Sequence, residues 1–259
     1  MKLLHSEIFG DKTPMMIIHG YFGMGENWKT MAKRFSEHYQ VHLVDLRNHG
    51  NSFHTDSFSY ELMVEDLVHY IHHHQLEKVT IIGHSMGGKS TMLLAATYPE
   101  LIDRLVIVDI APKFYPPHHQ DIIDALNDVD FDKVTSRKDV EKVLSQHLNN
   151  PVVVSFFLKS LYRNEDGNYS FRFNLDSLTK NNFEVGKVML QENIRFEKPT
   201  LFVRGEDSDY IMQEDYQLIE KHFTAVNIQS IPKSGHWLHV EKPNEFYEIA
   251  SSFLLSSKH

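Results

Sequence analysis

The chain has 259 residues, no cysteine and a formal net charge of −9. The missing cysteine excludes a disulfide scaffold, a zinc–thiolate site and a thiol nucleophile. An acidic chain without long basic runs is a poor partner for nucleic acid or for anionic membrane surfaces.

The opening segment MKLLHSEIFGDK turns polar by residue 5 and shows no secretory apolar region. No stretch approaches the roughly 20 apolar residues of a membrane helix. These features predict a cytoplasmic protein without integral membrane association. Short apolar, β-rich runs at MMIIH (15–19), VHLVD (41–45), KVTIIG (78–83) and RLVIVD (104–109) read as buried strands. Between them, ENWKTMAKRFSEH, SYELMVEDLVHYIHHH and GGKSTMLLAATYPE have helical period. Strand, helix, strand at this spacing predicts parallel pairing with crossover helices, an α/β architecture. The histidine triplet at 72–74 closes a helix and reads as its exposed end rather than a metal site.

The rhythm lapses between Ala111 and Glu197. This stretch holds the helical pieces QDIIDALNDV, RKDVEKVLSQHL and PVVVSFFLKSLY and one hairpin, NEDGNYSFRFN. A mostly helical insertion is expected, over the carboxyl ends of the strands, where open α/β sheets bind ligands. Its aromatic residues, Phe114, Tyr115, Phe156, Phe157, Tyr162, Phe171, Phe173 and Phe183, are expected chiefly to form a small core of its own. Strands resume at PTLFVRG (199–205) and AVNIQSIP (225–232), with a helix between them. A last amphipathic helix covers about 243–255. The expected division is a core of 1–112 and 197–259 with a cap of 113–196.

Gly83-His84-Ser85-Met86-Gly87 places a hydroxyl between glycines where a strand gives way to a helix. A nucleophile on a sharp turn needs strained backbone angles and small neighbours, and the helix starting at Met86 aims free N–H groups at the attacking oxygen. The alternative is that Ser85 merely caps the helix. A serine nucleophile needs a base, and His236, in SGHWLHVEKP after the last strand, stands where the chain order serine, acid, histidine puts it. His239 forms an H-x-x-H pair with His236 but lacks further ligands for a metal. His19 and His84 read as packing or hydrogen-bonding supports. The oxyanion requires two backbone N–H donors. Met86 is one, and the loop HGYFGMGENW offers Tyr21, or alternatively Phe22, as the other.

Hydrolases that carry such a serine elbow usually place the acid three residues past a glycine in the segment that here reads RGEDSDYI; that position is Ser208, flanked by Asp207 and Asp209. The other place for it is the end of LVIVDIAP, where Asp109 is costly to bury without a partner such as a histidine N–H. Asp109 is preferred, with Asp207 and then Asp176 as fallbacks.

These motifs together resemble the α/β-hydrolases, and closely the bacterial YbfF-type esterases with their mitochondrial abhydrolase relatives. The resemblance runs through HGYFG, DLRNHGNS, GHSMGGKS, LVIVDIAP, FRFNLDSL, GEDSDYI and GHWLH, over nearly the whole chain. Its more specific marks are RNHG at 47–50, VDIAP at 108–112, and Ser208 with Tyr210 where the usual acid is missing. It implies an α/β-hydrolase fold, a mostly parallel sheet flanked by helices with a helical cap inserted after the strand ending near Asp109. It also implies a serine carboxylesterase or thioesterase acting on short-chain acyl esters through an acyl-enzyme, and it adds support for Asp109. The expected constellation is Ser85, His236 and Asp109 with Tyr21 and Met86 N–H groups. No metal or organic cofactor is called for, and the expected partner is a small-molecule acyl ester. An acyltransferase or lyase using the same triad, and a ligand-binding receptor that kept the pocket, are the competing readings; no oligomeric state is implied.

Overall fold

A computed structural model describes residues 2–117, 119–187 and 190–256. Strands β1 (Ser6–Phe9) and β2 (Thr13–Ile18) lead to helix α1 (Lys29–Phe35). There follow β3 (Tyr39–Val44), α2 (Tyr60–His73), β4 (Val79–His84), α3 (Met86–Thr97) and β5 (Ile102–Val108). After the insertion come β8 (Thr200–Gly205), α9 (Tyr216–His222), β9 (Val226–Ile231), α10 (Leu238–Glu241) and α11 (Pro243–Leu255). The insertion holds α4 (Gln120–Asn127), α5 (Arg137–His147), α6 (Pro151–Lys159), the hairpin β6 (Leu161–Arg163) and β7 (Tyr169–Phe171), α7 (Leu175–Lys180) and α8 (Asn182–Val185).

The seven-stranded sheet runs in the order β1-β3-β2-β4-β5-β8-β9, parallel except for β1. Alternation along the strands sorts side chains to its two faces. Met16, Ile18, Ile81, Leu105 and Ile107 join the core under α2 and α3. Met15, Ile17, Ile82, Val106 and Val108 join the opposite core with α1 and α11. Because both faces are covered, these strands are apolar on both sides, hence the continuous runs in the sequence. The first strand was not legible: SEIF has no fully buried residue and pairs antiparallel at the edge of the sheet.

The insertion does not form the separate core its aromatics suggested. Phe157, Phe171 and Phe173 are buried, but in a cluster continuous with that beneath α2 and α3, while Phe114 and Phe183 are 57% and 53% exposed. Burying one shared cluster removes more apolar surface from water than two small ones would. The hairpin also begins earlier than its composition suggested, because α6 stops at Lys159 and Leu161–Arg163 supplies the first strand.

Hydrogen bonds from core side chains hold the insertion's backbone. Tyr21 Oη donates to the Leu178 carbonyl at 2.7 Å and Tyr60 Oη to that of Val185 at 2.7 Å, while Lys89 Nζ reaches the Lys187 carbonyl at 2.5 Å. The chain leaving β5 and the chain returning are themselves joined, Tyr115 N–H donating to the Gly186 carbonyl at 2.8 Å.

α3 and the end of β2 approach each other closely through their backbones. A Cβ at Gly87 would stand 2.4 Å from the His19 carbonyl oxygen and 2.6 Å from that of Ile18. Neither backbone atom can yield without moving the central sheet. Gly87→Ala is therefore expected to cost about 1–3 kcal/mol as an overpacked site, read as a lower urea midpoint with an unchanged slope.

Candidate active site

The turn between β4 and α3 carries Ser85 at φ 53°, ψ −121°, a region that a residue with a Cβ occupies at some cost. Packing holds it there: a Cβ at Gly83 would lie 2.6 Å from Thr91 Oγ1 and 2.8 Å from the Gly87 carbonyl oxygen, so strand and helix can close only on glycines. Ser85 N–H donates to the Val108 carbonyl at 3.0 Å, and its own carbonyl accepts from Lys89 N–H at 3.0 Å. Its side chain caps no helix N–H, which removes the capping alternative. Ser85 instead lines a cavity of about 100 Å³ with Tyr21, Phe156, Phe157, Tyr210 and His236.

Asp109 directly follows β5, fully buried and itself at φ 50°. Its Oδ1 accepts from Gly205 N–H at 3.0 Å. Its Oδ2 accepts from His236 Nδ1–H at 2.8 Å and from the Ser208 hydroxyl. Ser208, the residue standing where an acid was looked for, thus donates to the acid supplied by a neighbouring strand. The fallbacks Asp207 and Asp176 are both exposed.

His236 follows β9. Its ring stacks on Tyr210 with centroids 3.8 Å apart and planes 17° from parallel. Its carbonyl accepts from His84 Nε2–H at 2.9 Å. His19 and His84 are hydrogen-bonding supports, as expected. His19 donates through Nδ1 to the Gly20 carbonyl at 2.8 Å and accepts Leu46 N–H on Nε2 at 3.1 Å, which fixes the neutral tautomer. His239 stacks flat on Trp28, centroids 3.8 Å apart. Among the described residues no group of three or more His, Asp or Glu side chains could hold a metal ion.

The loop after β2 separates the two candidate donors. Phe22 N–H is taken by His49 Nε2 at 3.2 Å. Among the described residues no acceptor is recorded for the N–H groups of Tyr21 or Met86. The role of His49 was missed; the RNHG motif that contains it was the available signal. Also missed was Lys89, fully buried on α3 and pushed down to about 7 by burial. The sequence mark Ser208-x-Tyr210 carries no role by itself, because its partners Asp109 and His236 are distant in sequence.

Fold and site together define a hydrolase, and the comparisons agree. A family model described as the alpha/beta hydrolase fold matches residues 13–243, and the chain belongs to that family. It is 41% identical to a Haemophilus influenzae protein named as an esterase/lipase, over 93% of this chain and 83% of that one. It is 33% identical to esterase YbfF of Escherichia coli, over 94% of each. The solved structure of a marine microorganism esterase superposes with a TM-score of 0.95 at 38% identity, covering 98% of this chain and 100% of that one. The protein is accordingly a hydrolase of the esterase group. No helix among the described residues is long and apolar enough to cross a membrane.

His49, His84 and His239 are buried with their pKa values lowered mainly by loss of hydration, His239 to about 3. Unfolded, each titrates near 6.5. Below that pH the unfolded chain takes up protons that the folded chain refuses, so stability falls as pH drops from 6.5 toward about 3 and is fully present above 6.5. Each such group contributes a slope of up to about 1.4 kcal/mol per pH unit. Urea unfolding at pH 7.5, 6 and 5 should give a steadily falling free energy; a flat profile would mean these imidazoles are not held neutral.

Proposed function

We propose that the protein is a serine carboxylesterase that hydrolyses short-chain acyl esters through an acyl-enzyme on Ser85. The observation that carries this reading is the strained Ser85 turn, opening on the same small cavity as a His236 whose Nδ1–H is committed to a buried carboxylate. With Nδ1 so engaged, Nε2 is the nitrogen left to accept a proton. His236 takes the Ser85 hydroxyl proton as Oγ bonds to the ester carbonyl carbon. The tetrahedral oxyanion is met by the N–H groups of Tyr21 and Met86, the latter at the positive end of α3. Collapse breaks the bond to the alcohol oxygen, which leaves with the proton from His236. Water then repeats the sequence on the acyl-enzyme and releases the acid. Asp109 keeps the imidazole in one tautomer and stabilises its cation.

A cavity of about 100 Å³ beside Ser85 favours small acyl groups. We read residues 113–196 as a cap over the site, since Phe156 and Phe157 of α6 complete the cavity wall.

The reading is tested with p-nitrophenyl esters from acetate to laurate and with a fluorophosphonate probe. The probe should add once, at Ser85, and labelling that survives Ser85→Ala would unseat the nucleophile. Asp109→Asn should lower kcat by about 10⁴, the scale for a triad aspartate. Near-normal turnover would remove Asp109 from the mechanism. Acyl-enzyme partitioning toward added alcohols in preference to water would identify a transferase instead.

A further inference from the structure

The cavity beside Ser85 does not end at its apolar wall. Asn27, Phe156 and Trp237 line both that cavity and a second depression of about 330 Å³. This groove runs between α6, through Val152, Ser155 and Lys159, and α10, through Val240. Val152 and Val240 are 40% and 42% exposed, and among the described residues no carboxylate lines the groove. Asn27 Oδ1 is occupied by Met24 N–H at 2.8 Å, which leaves its NH₂ group to donate at the junction of the two spaces.

Chemistry says which part of an ester belongs there. The carbonyl oxygen must lie toward the N–H groups of Tyr21 and Met86, whereas the alcohol oxygen must lie within reach of His236, which returns its proton. Trp237 follows His236 directly in the chain, Val240 lies on α10 just after it, and both line the groove. We infer that the groove between α6 and α10 binds the uncharged alkyl portion of the substrate's alcohol, leaving the smaller cavity for the acyl group. The inference rests on the serine-esterase reading and names its substrate class: small-acyl esters of bulky apolar alcohols.

The test compares kcat/KM for two ester series, alkyl acetates from ethyl to octyl and ethyl alkanoates from acetate to octanoate. The acetates should gain about twofold per methylene from butyl to octyl, below the full burial value because the groove is half open; the alkanoates should fall once the acyl chain outgrows the small cavity. Ser155→Trp and Val240→Trp fill the groove from opposite walls, and each should flatten the alkyl-acetate slope, with thermal melting reporting the fold of both. Variants that flatten the alkanoate series instead would hand the groove to the acyl chain and overturn the assignment, as would slopes that neither variant changes. Wild type that hydrolyses ethyl acetate with no dependence on alcohol length overturns this inference alone. Wild type that hydrolyses none of these esters overturns the esterase reading, and this inference falls with it.

Discussion

A buried carboxylate is the constraint around which the site is built. Asp109 has no solvent contact, and an ionised carboxyl in that position is tolerable only if its oxygens are satisfied. The donors come from three places: the end of β8 (Gly205), the turn after it (Ser208), and the loop after β9 (His236). Satisfying Asp109 therefore requires β5, β8 and β9 to be in register, with Val108 opposite Val203 and Arg204 opposite Ser230. The contact that orients the imidazole is thus also one that organises the carboxyl edge of half the sheet. Few substitutions in such a cluster can be purely catalytic or purely structural.

Around that centre, neutral imidazoles serve as backbone braces. His19, His49 and His84 each tie main-chain groups that a turn would otherwise leave without a partner. A neutral imidazole offers one donor and one acceptor on opposite sides of a rigid ring, so it can bridge two strands of backbone several ångströms apart. Burial and tautomer reinforce each other here: a ring that accepts a backbone N–H cannot carry a proton on that nitrogen. The abundance of histidine in the chain, with 18 in all, thus has in part a structural reason.

The insertion takes its position from the core rather than from itself. Its aromatics pack into the cluster under α2 and α3, and hydroxyl and amine groups from Tyr21, Tyr60 and Lys89 hold its backbone carbonyls. The wall it contributes to the cavity is accordingly set by the same core elements that position Ser85. Of the aromatics that pointed to a core of its own, Phe156 and Phe157 also line the cavity beside Ser85.

The parallel strands, the crossover helices, Ser85 between its glycines and His236 after the last strand were legible because each is encoded locally. A buried strand is an apolar run, and an elbow is five consecutive residues. The sequence could also argue that Asp109 needs a partner, since a carboxylate amid LVIV and IAP cannot be left unpaired. It could not say that Ser208 and Gly205 would join the histidine, that Tyr210 would stack on it, or that His49 would take the Phe22 N–H and leave that of Tyr21 open. The edge strand β1 escaped for a related reason: its pairing with β3, and not its own pattern, makes it a strand. Asp109 meets its donors across 96, 99 and 127 residues of chain, separations over which spacing carries no geometry. Local chemistry singled out Ser85, Asp109 and His236; only the register of the sheet decided which hydrogen bonds hold them.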